Sequence, residues 1–402
     1  TAPFAGALLL GDTSELSYEV DTHLKLSGIR HVVAVSGLHV SILFAMIGML
    51  TFRRRFLTAL VGFPVLAIFA AAAGFTSSGN RACIMCALML LSSLAEQEYD
   101  GPTALSFAAL VMMVVNPLVI TSVGFQLSVS SVAGIYLFYE KINSYLLDKL
   151  GREKGRSLRS CLKAWLAGGV STTVSACLLT TPLCAYYFGV VSLIGILTNL
   201  LTLWVISFVF YGIIAVCGFS FLWKAGALWL AKLVSLPVCY IQWLARTFAK
   251  FPLAAVYTDS VFIVLWLIFS YLLLTVFLLR KNRNPVQLLS WISILLCIAL
   301  LLSWYVPGKQ KAGITVLDVG QGQCILLQSE GRTFLVDCGG DNDEASADLA
   351  ARTLLAQGID TLDCVILTHY DRDHMGGLPY LMTRVGSDML ILPDTEDMGK
   401  RS

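Results

Sequence analysis

Leu367-Thr-His-Tyr-Asp-Arg-Asp-His-Met-Gly-Gly377 places four side chains able to bind metal, His369, Asp371, Asp373 and His374, within six residues. Two of the five histidines of the chain fall here. The run before it, Leu362-Asp-Cys-Val-Ile-Leu-Thr368, reads as a short buried strand, and Gly376-Gly377 with the apolar residues beyond reads as a turn into a helix. A loop at the carboxyl end of a strand lets a rigid sheet hold ligands in fixed geometry. Imidazole nitrogens and carboxylate oxygens suit a divalent ion that activates water. The cluster holds two carboxylates and no thiol, which favours a harder ion such as manganese, with zinc still in range. The competing reading is a polar surface turn in which these residues co-occur by chance. The strand before and the glycines after argue against it.

The spacing His-x-Asp-x-Asp-His resembles the metallo-β-lactamase superfamily signature His-x-His-x-Asp-His, with Asp371 standing for the second histidine. The same exchange is usual in the metallo-β-lactamase-like domain of ComEC-type competence proteins.

Composition sets the frame for the remainder. The 402 residues are 57% hydrophobic and 13% charged, with mean hydropathy +0.76, whereas soluble domains carry about 25% charged residues. This excludes a purely soluble enzyme. The formal net charge of +2 hides a split: from Ala312 onward 15 acidic and 6 basic residues give −9, and the chain before it carries +11. A basic membrane part is expected, followed by an acidic tail. The 11 cysteines are scattered, mostly inside apolar runs, and read as small buried hydrophobes. Cys324, Cys338 and Cys364 lie in tail strands. The chain starts at Thr1 without a signal peptide and ends at Lys400-Arg401-Ser402 without a closing element, so a piece of a longer protein is expected.

Gly11 to Leu26 reads as an amphipathic helix, capped by Asp12 with Glu15 three residues on, and too polar to span a bilayer. Ile29-Arg-His-Val-Val-Ala-Val-Ser-Gly-Leu-His-Val-Ser41 is an apolar run broken at Ser36-Gly37, with His31 and His39 nearby. Such groups at membrane depth face protein or a water-filled cavity. The alternative is a Ser/Gly helix contact with His39 near the interface.

About ten apolar segments follow, near residues 33–52, 56–75, 80–95, 103–120, 123–140, 164–187, 198–222, 226–249, 261–280 and 286–306. Each approaches the roughly 20 residues a bilayer requires. Asn80-Arg81 opens one, Asn116-Pro117 ends another, Gly124-Phe-Gln126 begins the next, and Ser171-Thr-Thr and Thr180-Thr-Pro182 are expected to interrupt a sixth. This density of polar and helix-breaking residues suits a bundle around a hydrophilic path, lined by Ser36, Gly37, His39, Arg81 and Gln126. Arg81 carries most weight, since an intramembrane charge is costly. Its bland reading is a helix-end side chain snorkelling to the interface. With ten spans, the basic loops Arg53–Arg55, Lys149–Lys163 and Arg280–Arg283 share one side, cytoplasmic by the positive-inside rule. The tail is then extracytoplasmic, provided segment 226–249 spans.

After Pro307-Gly308 the pattern changes. Gly313–Asp318, Gln323–Gln328 and Thr333–Asp337 read as three short strands joined by glycine turns, and Asp341–Gln357 as a helix. The expected fold is a polytopic α-helical membrane domain followed by the first half of an αββα metallo-β-lactamase-like domain. The expected divisions are an interfacial segment 1–28, a membrane domain 29–307 and a truncated tail domain 312–402.

A series of motifs resembles the ComEC competence family in order along nearly the whole chain. It begins with Leu9-Leu-Leu-Gly-Asp12 and His31-Val-Val-Ala-Val-Ser-Gly-Leu-His39. It continues with Asn80-Arg-Ala82, Asn116-Pro117, Gly124-Phe-Gln-Leu-Ser128, Thr181-Pro182, Tyr187-Phe-Gly189 and Asn199-Leu-Leu201. Leu317-Asp-Val-Gly-Gln-Gly322 and Leu335-Val-Asp-Cys-Gly339 complete it. Gln323 departs from the family, which usually has Asp there. The resemblance implies import of one strand of external DNA across the cytoplasmic membrane and a metal-dependent nuclease domain acting on the other strand. It implies two divalent ions, manganese or zinc, in the full-length protein. His369 and Asp371 would hold one, Asp373 and His374 the other, with Asp373 and His374 as catalytic residues and Asp337 supporting a ligating histidine from behind. Further ligands would lie beyond Ser402. The implied partners are single-stranded DNA, membrane lipid, a DNA receptor, an ATP-driven motor and, in some arrangements, further copies of the chain. No Gly-x-x-x-x-Gly-Lys-Ser/Thr loop is present to drive import. Two other readings are a transporter with a catalytically silent tail and a membrane-anchored metallohydrolase of another substrate.

Overall fold

The computed structural model describes residues 2–151, 157–251, 253–279, 285–306 and 312–394. The chain forms two units, one of residues up to Tyr187 with Ser192–Ala255, the other of Phe188–Val191 with the chain from Val256 onward.

The first unit is helical: α1 Ala2–Leu10, α2 Tyr18–Leu26, α3 Arg30–Val33, α4 Gly37–Leu50, α5 Arg55–Ala72, α6 Ser77–Leu94, α7 Gly101–Val115, α8 Val123–Leu150, α9 Leu158–Phe188, α10 Gly195–Leu222 and α11 Lys224–Ala249. Side-chain caps start several of these helices. Thr76 accepts from the Gly79 amide at the head of α6, Asp100 from Thr103 at α7, and Ser122 from Phe125 at α8. The innermost core joins Phe4 and Leu8 of α1, Leu24 of α2, Val205, Ile206 and Val209 of α10, and Val238 and Ile241 of α11. The crossing of α8 and α9 depends on Gly134, where a Cβ would lie 2.3 Å from the Ser175 carbonyl oxygen. Small residues allow such close backbone approach.

Three expectations change here. The helix expected over Gly11–Leu26 begins at Tyr18, and a separate helix, α1, precedes it. Asp12 does not cap α2, because its carboxylate accepts from the amide and hydroxyl of Ser14. The segment is also not set apart, since Phe4, Leu8, Tyr18 and Leu24 are buried in the bundle. The Ser/Thr clusters do not interrupt the sixth segment, as α9 runs unbroken from Leu158 to Phe188 with Pro182 inside it. Thr172 and Thr180 donate to the carbonyls of Gly168 and Ala176 one turn back, so their hydroxyls are satisfied within the helix.

Ten helices, α4–α11 with the two described next, overlie the ten apolar segments. Among the described residues, five helices, Arg55–Ala72, Leu158–Phe188, Gly195–Leu222, Lys224–Ala249 and Gln287–Tyr305, are long and apolar enough to cross a membrane. The segment near 226–249, on which the orientation turns, is among them. Of the basic loops, residues 152–156 and the Arg280–Arg283 loop lie outside the described residues.

The second unit contains α12 Val261–Leu279, α13 Pro285–Tyr305 and a sheet. A two-stranded ribbon, β1 Val190–Ser192 with β2 Ala255–Tyr257, precedes them. Next come β3 Ala312–Val316, β4 Ile325–Ser329, β5 Arg332–Val336, α14 Asp343–Ala356, β6 Thr361–Leu362, β7 Cys364–Ile366, α15 Arg372–Met375, α16 Leu378–Leu381, β8 Gly386–Ser387 and β9 Leu390–Ile391. The main sheet has the order β3-β4-β5-β7-β9. Its first three strands are antiparallel, and β7 and β9 add in parallel. Asn342 caps α14, whose Ala347, Ala350, Ala351 and Leu354 are buried. The sequence reading divides the chain after residue 307, yet α12 and α13 group with the sheet. Within the unit the Ser303 hydroxyl donates to the Ala356 carbonyl at 2.5 Å.

Candidate functional site

In the helical unit, the Ser36-Gly37 break separates α3 from α4, with Ala34 in an extended conformation. His39 is fully buried, and its Nδ1 accepts from the Ser36 amide at 3.1 Å. That bond makes His39 part of the cap of α4, one of the roles a helix-start residue fills. Its Nε2 has no hydrogen-bond partner among the described residues, and its ring centroid stands 5.4 Å from that of Phe210. Arg81 is only 5% exposed although it lies one turn into α6. Its Nε donates to Ser128 Oγ at 2.7 Å, and Ser128 donates to Ser78 Oγ at 3.0 Å. Its Nη1 contacts Met85 Sδ. No carboxylate pairs with Arg81 among the described residues. Burial this deep does not fit a side chain snorkelling into water.

The structure therefore joins Gly37 and Arg81, and adds Ser78 and Ser128, which the sequence reading missed. Ser128 closes the Gly124–Ser128 motif, so a signal for it was present. Gln126 is engaged elsewhere: its amide donates to the Ile120 carbonyl and accepts from the Tyr187 hydroxyl.

In the sheet unit, β5 ends at Val336, and the next residue, Asp337, is fully buried with a left-handed φ of 57°. Such strain in a non-glycine residue persists only where surroundings hold it. Here Asp337 N–H donates to the Ile366 carbonyl, and its carboxylate receives three hydrogen bonds. Thr368 N–H donates to Oδ1 at 2.8 Å, Thr368 Oγ1 to Oδ2 at 2.6 Å, and His374 Nδ1 lies 2.8 Å from Oδ2. Thr368 Oγ1 also lies 2.9 Å from His369 Nδ1. His374, one of the four expected ligands, thus lies against the Asp337 carboxylate.

The ligand loop is clamped from below. Cys338 N–H donates to the His374 carbonyl, Gly377 N–H to the Cys338 carbonyl, and Gln323 N–H to the Asp373 carbonyl. Gln323 thus acts through its main chain, which an Asp-to-Gln exchange leaves in place. Gly339 allows the approach, since a Cβ there would lie 2.4 Å from the Asp373 carbonyl carbon. The hydrogen bond with Cys324 and then burial push the Cys338 thiol well above its ordinary range. Cys324, Cys338 and Cys364 are buried free thiols.

His369, Asp373 and His374 bring ligand atoms within 4.8 Å of one another. Asp371, 70% exposed, stands 3.6 Å from His369 Nε2 on the open side of the group. The four proposed ligands thus divide into a convergent three and an outlying fourth. A nitrogen and carboxylate donor set this close fits a divalent metal. Beside it a cavity of about 340 Å³ is lined by Gln321, Gly340, Asp341, Arg372 and Asp373.

Comparison with known families matches residues 8–283 to the competence protein family and residues 317–386 to the metallo-beta-lactamase superfamily. The latter implies divalent metal binding by the tail. The chain is 25% identical to ComE operon protein 3 of Bacillus subtilis (strain 168), covering 96% of this chain and 50% of that protein. It is 25% identical to Recombination protein 2 of Haemophilus influenzae, covering 98% and 54%. Over 84 residues, 19% of this chain and 14% of that protein, it is 39% identical to Integrator complex subunit 11 of Gallus gallus. The chain spans about half the length of the first two relatives. No solved structure matches it.

Proposed function

The chain belongs to the competence protein family, and on that premise we propose that it passes one strand of DNA across the cytoplasmic membrane, while its tail contributes to hydrolysis of the other. The observation that carries the import reading is Arg81. A guanidinium buried in an apolar bundle with hydroxyl and thioether partners, and no carboxylate among the described residues, is expensive unless an anion visits it. Cation contacts supply most of the sequence-independent affinity for a nucleic-acid backbone, and a basic groove is the usual means of tracking one strand. Gly37 packs against it, and Ser78 and Ser128 place hydroxyls beside it. His39 and Gln126 belong to the proposal as walls of the same path. No motor loop is present in the chain, so the proposal needs an ATP-driven partner and a receptor that delivers the strand.

In the tail, His369, Asp373 and His374 would hold a divalent ion, manganese or zinc, with Asp371 as the outer carboxylate for a second. A bound ion of this kind activates water and offsets charge on a phosphodiester. The chain's own contribution is positional: Asp337 fixes His374, and the Gln323 and Cys338 main chain fixes the loop that carries Asp373. The convergence of His369, Asp373 and His374 favours this over a catalytically silent tail. The acidic tail is weak at gripping phosphates unaided, which is why the ions and later ligands matter to the proposal.

The test is uptake of labelled DNA by cells carrying variants of the full-length protein. Arg81→Ala at normal abundance should lose uptake while the purified full-length variant retains metal-dependent cleavage. Asp373→Ala should lose cleavage and still take up DNA supplied as single strands. Normal uptake by well-expressed Arg81→Ala overturns the path through Arg81.

A further inference from the structure

We propose that Thr368 is a positioning residue that couples both histidines of the tail cluster to one buried carboxylate. Asp337 sets the tautomer of His374 directly and that of His369 at second hand, through the Thr368 hydroxyl. The inference rests on reading His369 and His374 as metal ligands.

The hydroxyl of Thr368 has one proton and two neighbours, Asp337 Oδ2 at 2.6 Å and His369 Nδ1 at 2.9 Å. The carboxylate is the stronger acceptor and the shorter contact, so the proton points to Asp337. The oxygen of Thr368 then has only lone pairs to offer His369, and Nδ1 of that ring must carry the hydrogen. On the other side, Asp337 Oδ2 also faces His374 Nδ1 at 2.8 Å, and a carboxylate can only accept. His374 therefore also carries its hydrogen on Nδ1. Both rings are left with a bare Nε2, and these two atoms face the carboxylates of the cluster: His369 Nε2 lies 3.6 Å from Asp371 and His374 Nε2 3.7 Å from Asp373. One chain of hydrogen bonds, His369–Thr368–Asp337–His374, thus prepares two ligands at once. The Thr368 amide donating to Oδ1 holds the carboxylate in the orientation the chain needs.

The arrangement is asymmetric. Removing the Thr368 hydroxyl leaves His374 with its partner and strands only His369. Removing the carboxylate disturbs both. Partners behind a ligating histidine are typically worth about 10–100-fold in metal affinity. Thr368 is itself exposed, so its truncation spares the packed core.

The experiment compares the full-length wild type with Thr368→Ser, which keeps the hydroxyl, and Thr368→Ala, which loses it. Equilibrium dialysis against manganese chloride, repeated with zinc chloride, reads affinity. Ring-¹⁵N histidine labelling of the metal-free protein reads tautomers. The relay predicts wild-type binding for the Ser variant, roughly 10–100-fold weaker binding for the Ala variant, and loss of the Nδ1–H signature at His369 alone. Equal binding and unchanged tautomers in Ser and Ala variants overturn it. A wild type that binds neither ion, yet loses the His369 signature only in the Ala variant, supports the relay and overturns the reading of the cluster as a metal site.

Discussion

A Cβ placed on Gly37 would lie 2.8 Å from Nη2 of Arg81, so the guanidinium is packed against the first turn of α4. A larger residue there must push the end of a flexible side chain rather than backbone. Gly37→Ala should therefore cost little stability, whereas Gly37→Val should displace the guanidinium and reduce DNA uptake further. Arg81→Met removes a buried charge that has no counter-charge among the described residues, so thermal unfolding in detergent should show stability unchanged or higher. Uptake should be lost all the same. A strong drop in unfolding temperature for Arg81→Met would make Arg81 a structural element of the bundle instead.

At Gly339 the neighbour is backbone. A methyl group there would lie 2.4 Å from the Asp373 carbonyl carbon and 2.5 Å from the His374 amide nitrogen, and neither can swing away alone. Gly339→Ala should destabilise the tail by about 1–3 kcal/mol, as overpacking does, and should lower metal retention because the ligand loop moves. Elemental analysis of purified full-length protein against wild type checks this. Undiminished metal content would show that the loop has slack.

The sheet was legible because its signals are local. Alternating apolar residues and glycine turns mark β3, β4 and β5, and the ligands fall within six residues of one another. Asp337 entered the sequence reading only through the family resemblance. Thr368 was not legible, because its role depends on a residue 31 positions away. The unbroken course of α9 was hidden for a related reason. Thr172 and Thr180 look like breakers in sequence, but their hydroxyls can bond back into their own helix. For Arg81 the sequence could show only that a charge sits in an apolar run. Its depth comes from α4, α6 and α8 meeting, which no local pattern encodes.

The ligands should not be equal. His369, Asp373 and His374 converge within 4.8 Å, whereas Asp371 is 70% exposed and near His369 only. Alanine at any of the first three should lower metal content more than Asp371→Ala does, by dialysis and elemental analysis of the full-length protein. An Asp371→Ala variant that loses as much metal as His374→Ala would move Asp371 to the centre of the site.

The final prediction concerns the side of the membrane on which the tail lies. Arg53 and Arg54 lie between α4 and α5, with Arg55 opening α5, and the basic stretch Lys149–Lys163 runs from the end of α8 into the first turns of α9. If each helix from α4 to α13 crosses once, these loops share a side with residues 280–284. Basic loops favour the cytoplasm, and an even number of helices after α4 and α5 then leaves the tail outside. The count turns on α11, whose length and apolar character are sufficient for a crossing. A cysteine introduced at Glu344, an exposed position on α14, reports the side directly. The background is a full-length variant with the exposed Cys161, Cys217, Cys239 and Cys297 replaced by serine. A membrane-impermeant maleimide should label Glu344→Cys in intact spheroplasts, and a cysteine at Arg54 only after permeabilisation. Labelling at Glu344 that requires permeabilisation would place the tail in the cytoplasm and imply that one of the ten helices, α11 before any other, lies along the membrane instead of through it.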